Sequence, residues 1–131
     1  MLACANVAKT YATERGPVEA VKGIDLTVER GEFAAIIGRS GSGKSSLLAM
    51  VGGLSRPTRG TVAIDNTAIW GLSDDQLAQF RNRRMGFVFQ FASLLPTLRL
   101  IDNVALPAML GRRHGASGTY ARAAGLLERM G

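Results

Sequence analysis

The sequence predicts an α/β fold in which a short apolar strand passes through a glycine-rich turn directly into a helix. Three observations point there. Phe33 to Ile37, FAAII, is a continuous apolar run of the kind that a strand buried on both faces needs. Residues 38–45, GRSGSGKS, interrupt it with three glycines. Lys44 to Val51 then reads as a helix, ended by Gly52-Gly53.

The other elements follow along the chain. Val21 to Val28 reads as a strand, with Ile24, Leu26 and Val28 on one face and Asp25 and Thr27 on the other. Glu29-Arg30-Gly31 makes a turn, and Pro57 to Gly60 a second, before an alternating strand at Thr61 to Asp65. Ser73 and Gln76 form a capping box for a helix running to about Arg84, and Leu72 and Leu77 are spaced for a hydrophobic staple. Gly86 to Gln90, GFVFQ, reads as a second buried strand. Pro96 opens a loop. Ile101 to Leu110 is predicted helical, bent or partly ended by Pro107. Thr119 to Met130 places Tyr120, Ala123, Ala124 and Leu127 on one helical stripe, which requires a partner surface.

Composition narrows the classes. The 131 residues are 47% hydrophobic and 20% charged, an ordinary globular mixture, which argues against disorder. The N-terminus shows no secretory pattern, and the longest charge-free stretch, Met85 to Leu98, falls short of the roughly 20 apolar residues of a spanning helix. Cys4 is the one cysteine, so no internal disulfide is available and a reducing compartment is expected. The net charge is +6, but the cations are scattered: Arg56 and Arg59, Arg81, Arg83 and Arg84, Arg112 and Arg113. No aromatics alternate with them, so a solvated surface is expected and nucleic acid is not.

GRSGSGKS matches the phosphate-loop pattern G-x-x-x-x-G-K-[ST] in full, between a predicted strand and a predicted helix. Gly38, Gly41 and Gly43 free the backbone to approach a ligand. Successive amides form an anion nest at a helix N-terminus. The residues expected to hold a nucleoside triphosphate are Gly38, Ser40, Gly41, Ser42, Gly43, Lys44, Ser45 and Ser46. Lys44 is expected on the β- and γ-phosphates and Ser45 on Mg²⁺. The loop alone does not name a function, because many unrelated activities use it.

The flanking residues carry a resemblance. Residues 31–60, GEFAAIIGRSGSGKSSLLAMVGGLSRPTRG, closely resemble the nucleotide-binding domain of ABC transporters. Residues 86–107, GFVFQFASLLPTLRLIDNVALP, resemble the Q-loop region of the subfamily that includes lipoprotein-releasing and macrolide-export ATPases. The resemblance implies a P-loop NTPase core of the ABC type, with N-terminal antiparallel β elements and the start of a helical subdomain. It assigns residues 1–95 to the ATP-binding core and 96–131 to that subdomain, incomplete. It implies ATP and Mg²⁺ as ligands. Gln90 matches the Q-loop glutamine, which positions the attacking water and contacts Mg²⁺; from spacing alone, Gln90 is merely the polar end of an apolar strand. Tyr11 matches the aromatic that stacks on adenine, and Val18 an apolar contact to the same base. Leu94, Leu95 and Leu98 around Pro96 read either as part of a docking surface for membrane subunits or as packed beneath the helical subdomain.

Departures from the family pattern are Arg39 for proline, Ser46 for threonine, Phe91-Ala92-Ser93 for Gln-Phe-Asn, and Arg99 and Asp102 for threonine and glutamate. None removes a phosphate ligand. These 131 residues contain no LSGGQ-type signature, no Walker B strand with its glutamate and no switch histidine; His114, in RRHG, reads as solvent-exposed. The resemblance implies an ATPase subunit that couples ATP binding and hydrolysis to export. Its partners would be transmembrane permease subunits and a second nucleotide-binding subunit, at the cytoplasmic face of the cell membrane. A non-catalytic ATP-binding or partner-binding fragment is the alternative. A small P-loop kinase or nucleic-acid ATPase fits the loop but not GFVFQ or Tyr11.

Overall fold

Leu2–Thr13 forms β1 and Gly16–Val28 forms β2, an antiparallel hairpin closed by Glu14 and Arg15. The Thr13 hydroxyl donates to the Gly16 carbonyl at 2.7 Å across the turn. Register shifts interrupt the pairing near Asn6, whose φ is +48° and whose N–H donates to Asp25 Oδ1 at 2.8 Å. Such bulges twist and bend a strand. β3, Arg59–Ile64, pairs antiparallel with β1, and β4, Thr67–Ala68, returns along β3. The sheet order is β2-β1-β3-β4. Asp65 and Asn66 join β3 to β4 with φ of +46° and +62°, the left-handed pair that a two-residue hairpin requires.

The computed structural model describes residues 1–90, 94–111 and 116–131. Phe91 to Ser93 and Arg112 to Gly115, with His114 among them, therefore lie outside the described residues. The chain divides into two compact units, Met1–Leu77 and Ala78–Gly131. In the first, Val7, Met50, Val62 and Ile69 are the largest fully buried side chains. Each such burial stabilises by about 1.5–3 kcal/mol. Cys4 is free and buried, and burial pushes its thiol pKa up, which suits an inert core residue.

Helix α1 spans Lys44–Val51, the range the glycine punctuation predicts. Helix α2 spans Asp74–Arg84, crossing the division between the units. Its capping box forms in both directions: the Ser73 N–H donates to Gln76 Oε1 at 3.0 Å and the Gln76 N–H to Ser73 Oγ at 3.3 Å. In the second unit, α3, Leu100–Leu110, keeps Pro107 inside the helix, and it packs against α4, Ala116–Glu128. α3 thus supplies the surface that the predicted α4 stripe requires; Ala123 is buried, as is Thr119 beside it. Among the described residues, no helix is long and apolar enough to cross a membrane.

Two expectations are corrected. Phe33 to Ile37 is not a strand, and Phe33 and Ile37 are 95% and 90% exposed. Gly86 to Gln90 is not a buried strand either; Phe87, Val88 and Phe89 are exposed. An apolar run becomes a strand only by pairing with a neighbour, and among the described residues none pairs with either segment. In the second segment Phe87 and Phe89, two residues apart, stack on each other with ring centroids 5.8 Å apart. The predicted turn at 57–60 is shorter than expected, since β3 begins at Arg59.

Candidate functional site

The 38–45 loop is shaped by two different glycine requirements. Gly43, the N-cap of α1, has φ +88°, and a Cβ there would overlap the carbonyl oxygen of Ala20 in β2. Gly43 is therefore where the loop lies flat against the sheet. Gly41 has φ +78° but faces open space, so only its backbone conformation calls for glycine. The Ser42 N–H donates to the Arg39 carbonyl at 3.2 Å and closes the turn between them.

α1 begins without a side-chain cap and without an acidic residue in its first turn. Its first helical bond runs from the Leu47 N–H to the Gly43 carbonyl at 2.9 Å. The amides of Lys44, Ser45 and Ser46 precede it and have no intrahelical acceptor. Their dipoles and the helix end favour an anion. The Lys44 ammonium folds back across the loop, donating to the Gly38 carbonyl at 2.8 Å, the Arg39 carbonyl at 2.7 Å and Ser42 Oγ at 3.5 Å. It is thus centred over the turn and held by weak acceptors that a charged oxygen can replace. Ser40 and Ser45 are exposed and Ser46 is half-buried. A cavity of about 530 Å³ borders the loop at Gly41–Lys44. Its walls include Val21, Ile24, Ile36, Ile37 and Leu47, an apolar surface that does not suit phosphate.

The structure brings Tyr11 to this loop. Its oxygen is hydrogen-bonded to Ser46 Oγ at 3.4 Å, bridging β1 and the first turn of α1. The hydrogen bond with Ser46 lowers the Tyr11 pKa from its ordinary value; partial burial opposes this, and Ser55 and Lys9 add to it. Val18 lies directly opposite Tyr11 in the β1–β2 register, so the two side chains share one face of the hairpin. Tyr11 is 40% exposed, and Val18 is exposed too. Sequence reasoning missed Lys9, whose ammonium lies 5.1 Å from the Tyr11 ring centroid and donates to the Arg56 carbonyl at 2.6 Å. Its signal was the two-residue spacing that puts Lys9 and Tyr11 on the same face of a strand.

Gln90 belongs to the second unit and is exposed. Further along, the Leu95–Leu98 turn, closed by the Leu98 N–H to the Leu95 carbonyl at 3.0 Å, leaves Leu94, Leu95 and Leu98 exposed rather than packed away. Asn103 holds this turn: its Oδ1 accepts from the Leu95 N–H at 2.8 Å, and its Nδ2 donates to the Leu95, Leu98 and Arg99 carbonyls at 3.1–3.2 Å. Arg99 and Asp102, two departures from the family pattern, pair with each other at 2.7 Å, and the Tyr120 hydroxyl donates to Asp102 at 2.9 Å. Among the described residues there is no cluster of His, Cys, Asp or Glu fit to hold a metal ion. A Mg²⁺ held by one hydroxyl, phosphate oxygens and water needs none.

The ABC transporter family profile matches residues 21–131. The lipoprotein-releasing system ATP-binding protein LolD of Alcanivorax borkumensis is 44% identical over the whole chain, which covers 57% of its length. An uncharacterized ABC transporter ATP-binding protein of Methanocaldococcus jannaschii, MJ0796, is 42% identical over 93% of the chain and 52% of its own length. The solved dimer of MJ0796, described as a post-hydrolysis state with ADP and Pi, superposes with a TM-score of 0.87 at 39% identity, over 98% of this chain and 56% of that one. The chain spans about half the length of the curated relatives it matches. Its fold class is that of an ABC-type ATPase, and the chain belongs to the ABC transporter family.

Proposed function

We propose that the chain is the N-terminal part of an ATP-binding subunit that couples ATP binding and hydrolysis to export by membrane permease subunits. The observation that carries this reading is the joined pair of sites at α1. A free-amide helix end with Lys44 over it takes the triphosphate, and Tyr11 with Val18, tied to the same helix through Ser46, takes the adenine. The base stacks on the Tyr11 face that Lys9 does not cover. Ser45 supplies its hydroxyl to Mg²⁺, and Gln90 positions the metal and the attacking water. Residues 1–95 serve as the core and 96–131 begin the helical subdomain.

The exposed leucines of the 94–98 turn form part of the permease docking surface. A second nucleotide-binding subunit completes the working unit, as in the dimeric relative, and the assembly works at the cytoplasmic face of the membrane. The names of the LolD relatives favour lipoprotein release as the export process.

Affinities for ATP and for inorganic triphosphate, measured in parallel, test the reading. Lys44→Ala weakens both by about 10- to 150-fold, the equivalent of one charge-assisted contact. Tyr11→Ala weakens ATP and leaves triphosphate unchanged. Unchanged ATP affinity in Lys44→Ala would sink the phosphate assignment. Equal losses of both ligands in Tyr11→Ala would sink the adenine assignment.

A further inference from the structure

The Lys9 ammonium makes two contacts at once. It lies over the Tyr11 ring, 5.1 Å from the centroid, and it donates to the Arg56 carbonyl at 2.6 Å. The side chain is half-buried, although lysine ordinarily keeps to solvent. Arg56 belongs to the 52–58 connection between α1 and β3. That connection is itself fastened to β1 on both sides of Lys9. The Thr58 N–H donates to the Ala8 carbonyl at 2.9 Å, and the Thr10 N–H donates to Thr58 Oγ1 at 3.0 Å. The carbonyl that receives Lys9 is therefore a fixed point, and the ammonium is held where it is by something other than the ring it covers.

Tyr11 is consequently restrained twice: its oxygen at Ser46 and one ring face at Lys9. The Ser46 bond is long, 3.4 Å, and by itself a weak tether for a ring that is 40% exposed. A cation over the ring face adds an attraction of its own. A ring ordered before its ligand arrives loses less freedom on binding. A ring with one face taken also offers a flat ligand one place instead of two. We infer that Lys9 is a positioning residue for the purine base, acting through Tyr11 by ordering the ring and leaving a single face open to stacking. The inference rests on the adenine reading of Tyr11 and adds to it the residue that sets the ring. It makes Lys9 different in kind from Lys44: one cation serves the base through an aromatic ring, the other the phosphates directly.

The 131-residue chain and its variants are titrated with ATP and with inorganic triphosphate, each with Mg²⁺, and followed by calorimetry. Lys9→Ala is expected to weaken ATP by about 2- to 5-fold, the worth of an exposed cation–π contact, and to leave triphosphate unchanged. Lys9→Arg, which keeps a cation and a donor, restores the ATP affinity. Lys9→Met, which keeps the apolar stem alone, does not. In a Tyr11→Ala chain, Lys9→Ala has no further effect, because the ring through which it acts is gone. A loss of triphosphate affinity in Lys9→Ala would make the residue a phosphate ligand or a support of the fold, and would overturn the inference. A further loss of ATP affinity in the Tyr11→Ala chain does the same, as does full rescue by Lys9→Met. If Tyr11→Ala weakens ATP and Lys9→Ala does not, the adenine reading stands and this inference alone falls. If Tyr11→Ala leaves ATP unchanged, both fall.

Discussion

Gly43 and Gly41 sit two residues apart with similar φ, +88° and +78°, yet only Gly43 backs onto protein. Substituting each by alanine therefore separates backbone strain from steric overlap. Holding alanine at positive φ costs about 1–2 kcal/mol in either place. Reduced freedom of the unfolded chain offsets about 0.4–1 kcal/mol of that. Gly41→Ala should then cost about 0–1.6 kcal/mol. Gly43→Ala carries the further penalty of forcing its methyl into the Ala20 carbonyl, about 1–3 kcal/mol by analogy with overpacked cores. Its total is about 1–4.6 kcal/mol, a large share of a stability of about 5–15 kcal/mol. Relief can come only by lifting the loop off β2, which misaims the amides at the start of α1. Urea unfolding followed by far-UV circular dichroism reads the stability difference, and a fluorescent ATP analogue reads the binding. Gly43→Ala should lose more of both. Equal stability losses in the two variants would refute the contact with Ala20 as the reason for glycine at 43.

The Arg99 pair first, and then the Tyr120 hydroxyl, hold the Asp102 carboxyl below the ordinary aspartate range. A depressed carboxyl contributes stability that is present above about pH 3.9 and is lost as pH falls through the lower folded value. Asp102→Asn should remove that acid-range dependence, and an NMR titration placing Asp102 at the ordinary value would contradict the pairing. Asn103→Ala should free the Leu95–Leu98 turn at a cost of about 1–2 kcal/mol, speeding exchange of the Leu95 amide about 5- to 30-fold; unchanged protection would show that the turn holds itself.

What was legible in the sequence was local. Gly52 and Gly53 mark the end of α1, and Ser73 with Gln76 marks the start of α2, because both signals act within one turn of backbone. Phe33–Ile37 and Gly86–Gln90 misled for the converse reason: apolarity shows what a segment can bury, whereas a strand exists only where another pairs with it. The pattern of the 38–45 loop lies within eight consecutive residues, but its seat against Ala20 and the link from Tyr11 to Ser46 join positions far apart in the chain. Asp65-Asn66 was passed over as a strand end because asparagine signals a left-handed turn less strongly than glycine. Thr119 escaped notice for a simpler reason. A lone polar residue beside an apolar stripe gives no sign that its hydroxyl is buried without a partner.

Trp70 is the chain's one tryptophan, and the fold attaches it to the far end of α1. Its indole N–H donates to the Met50 carbonyl at 3.1 Å, the Arg56 guanidinium lies 5.3 Å from the ring centroid, and Arg56 also donates to the Trp70 carbonyl at 2.6 Å. About 10 Å of helix separates Met50 from Gly43. The molecule therefore carries its own optical gauge. The wavelength and intensity of indole emission depend on how α1 sits against this ring. A tilt of the helix or a tightening of its first turn registers in ultraviolet fluorescence without a dye, a tag or a substitution.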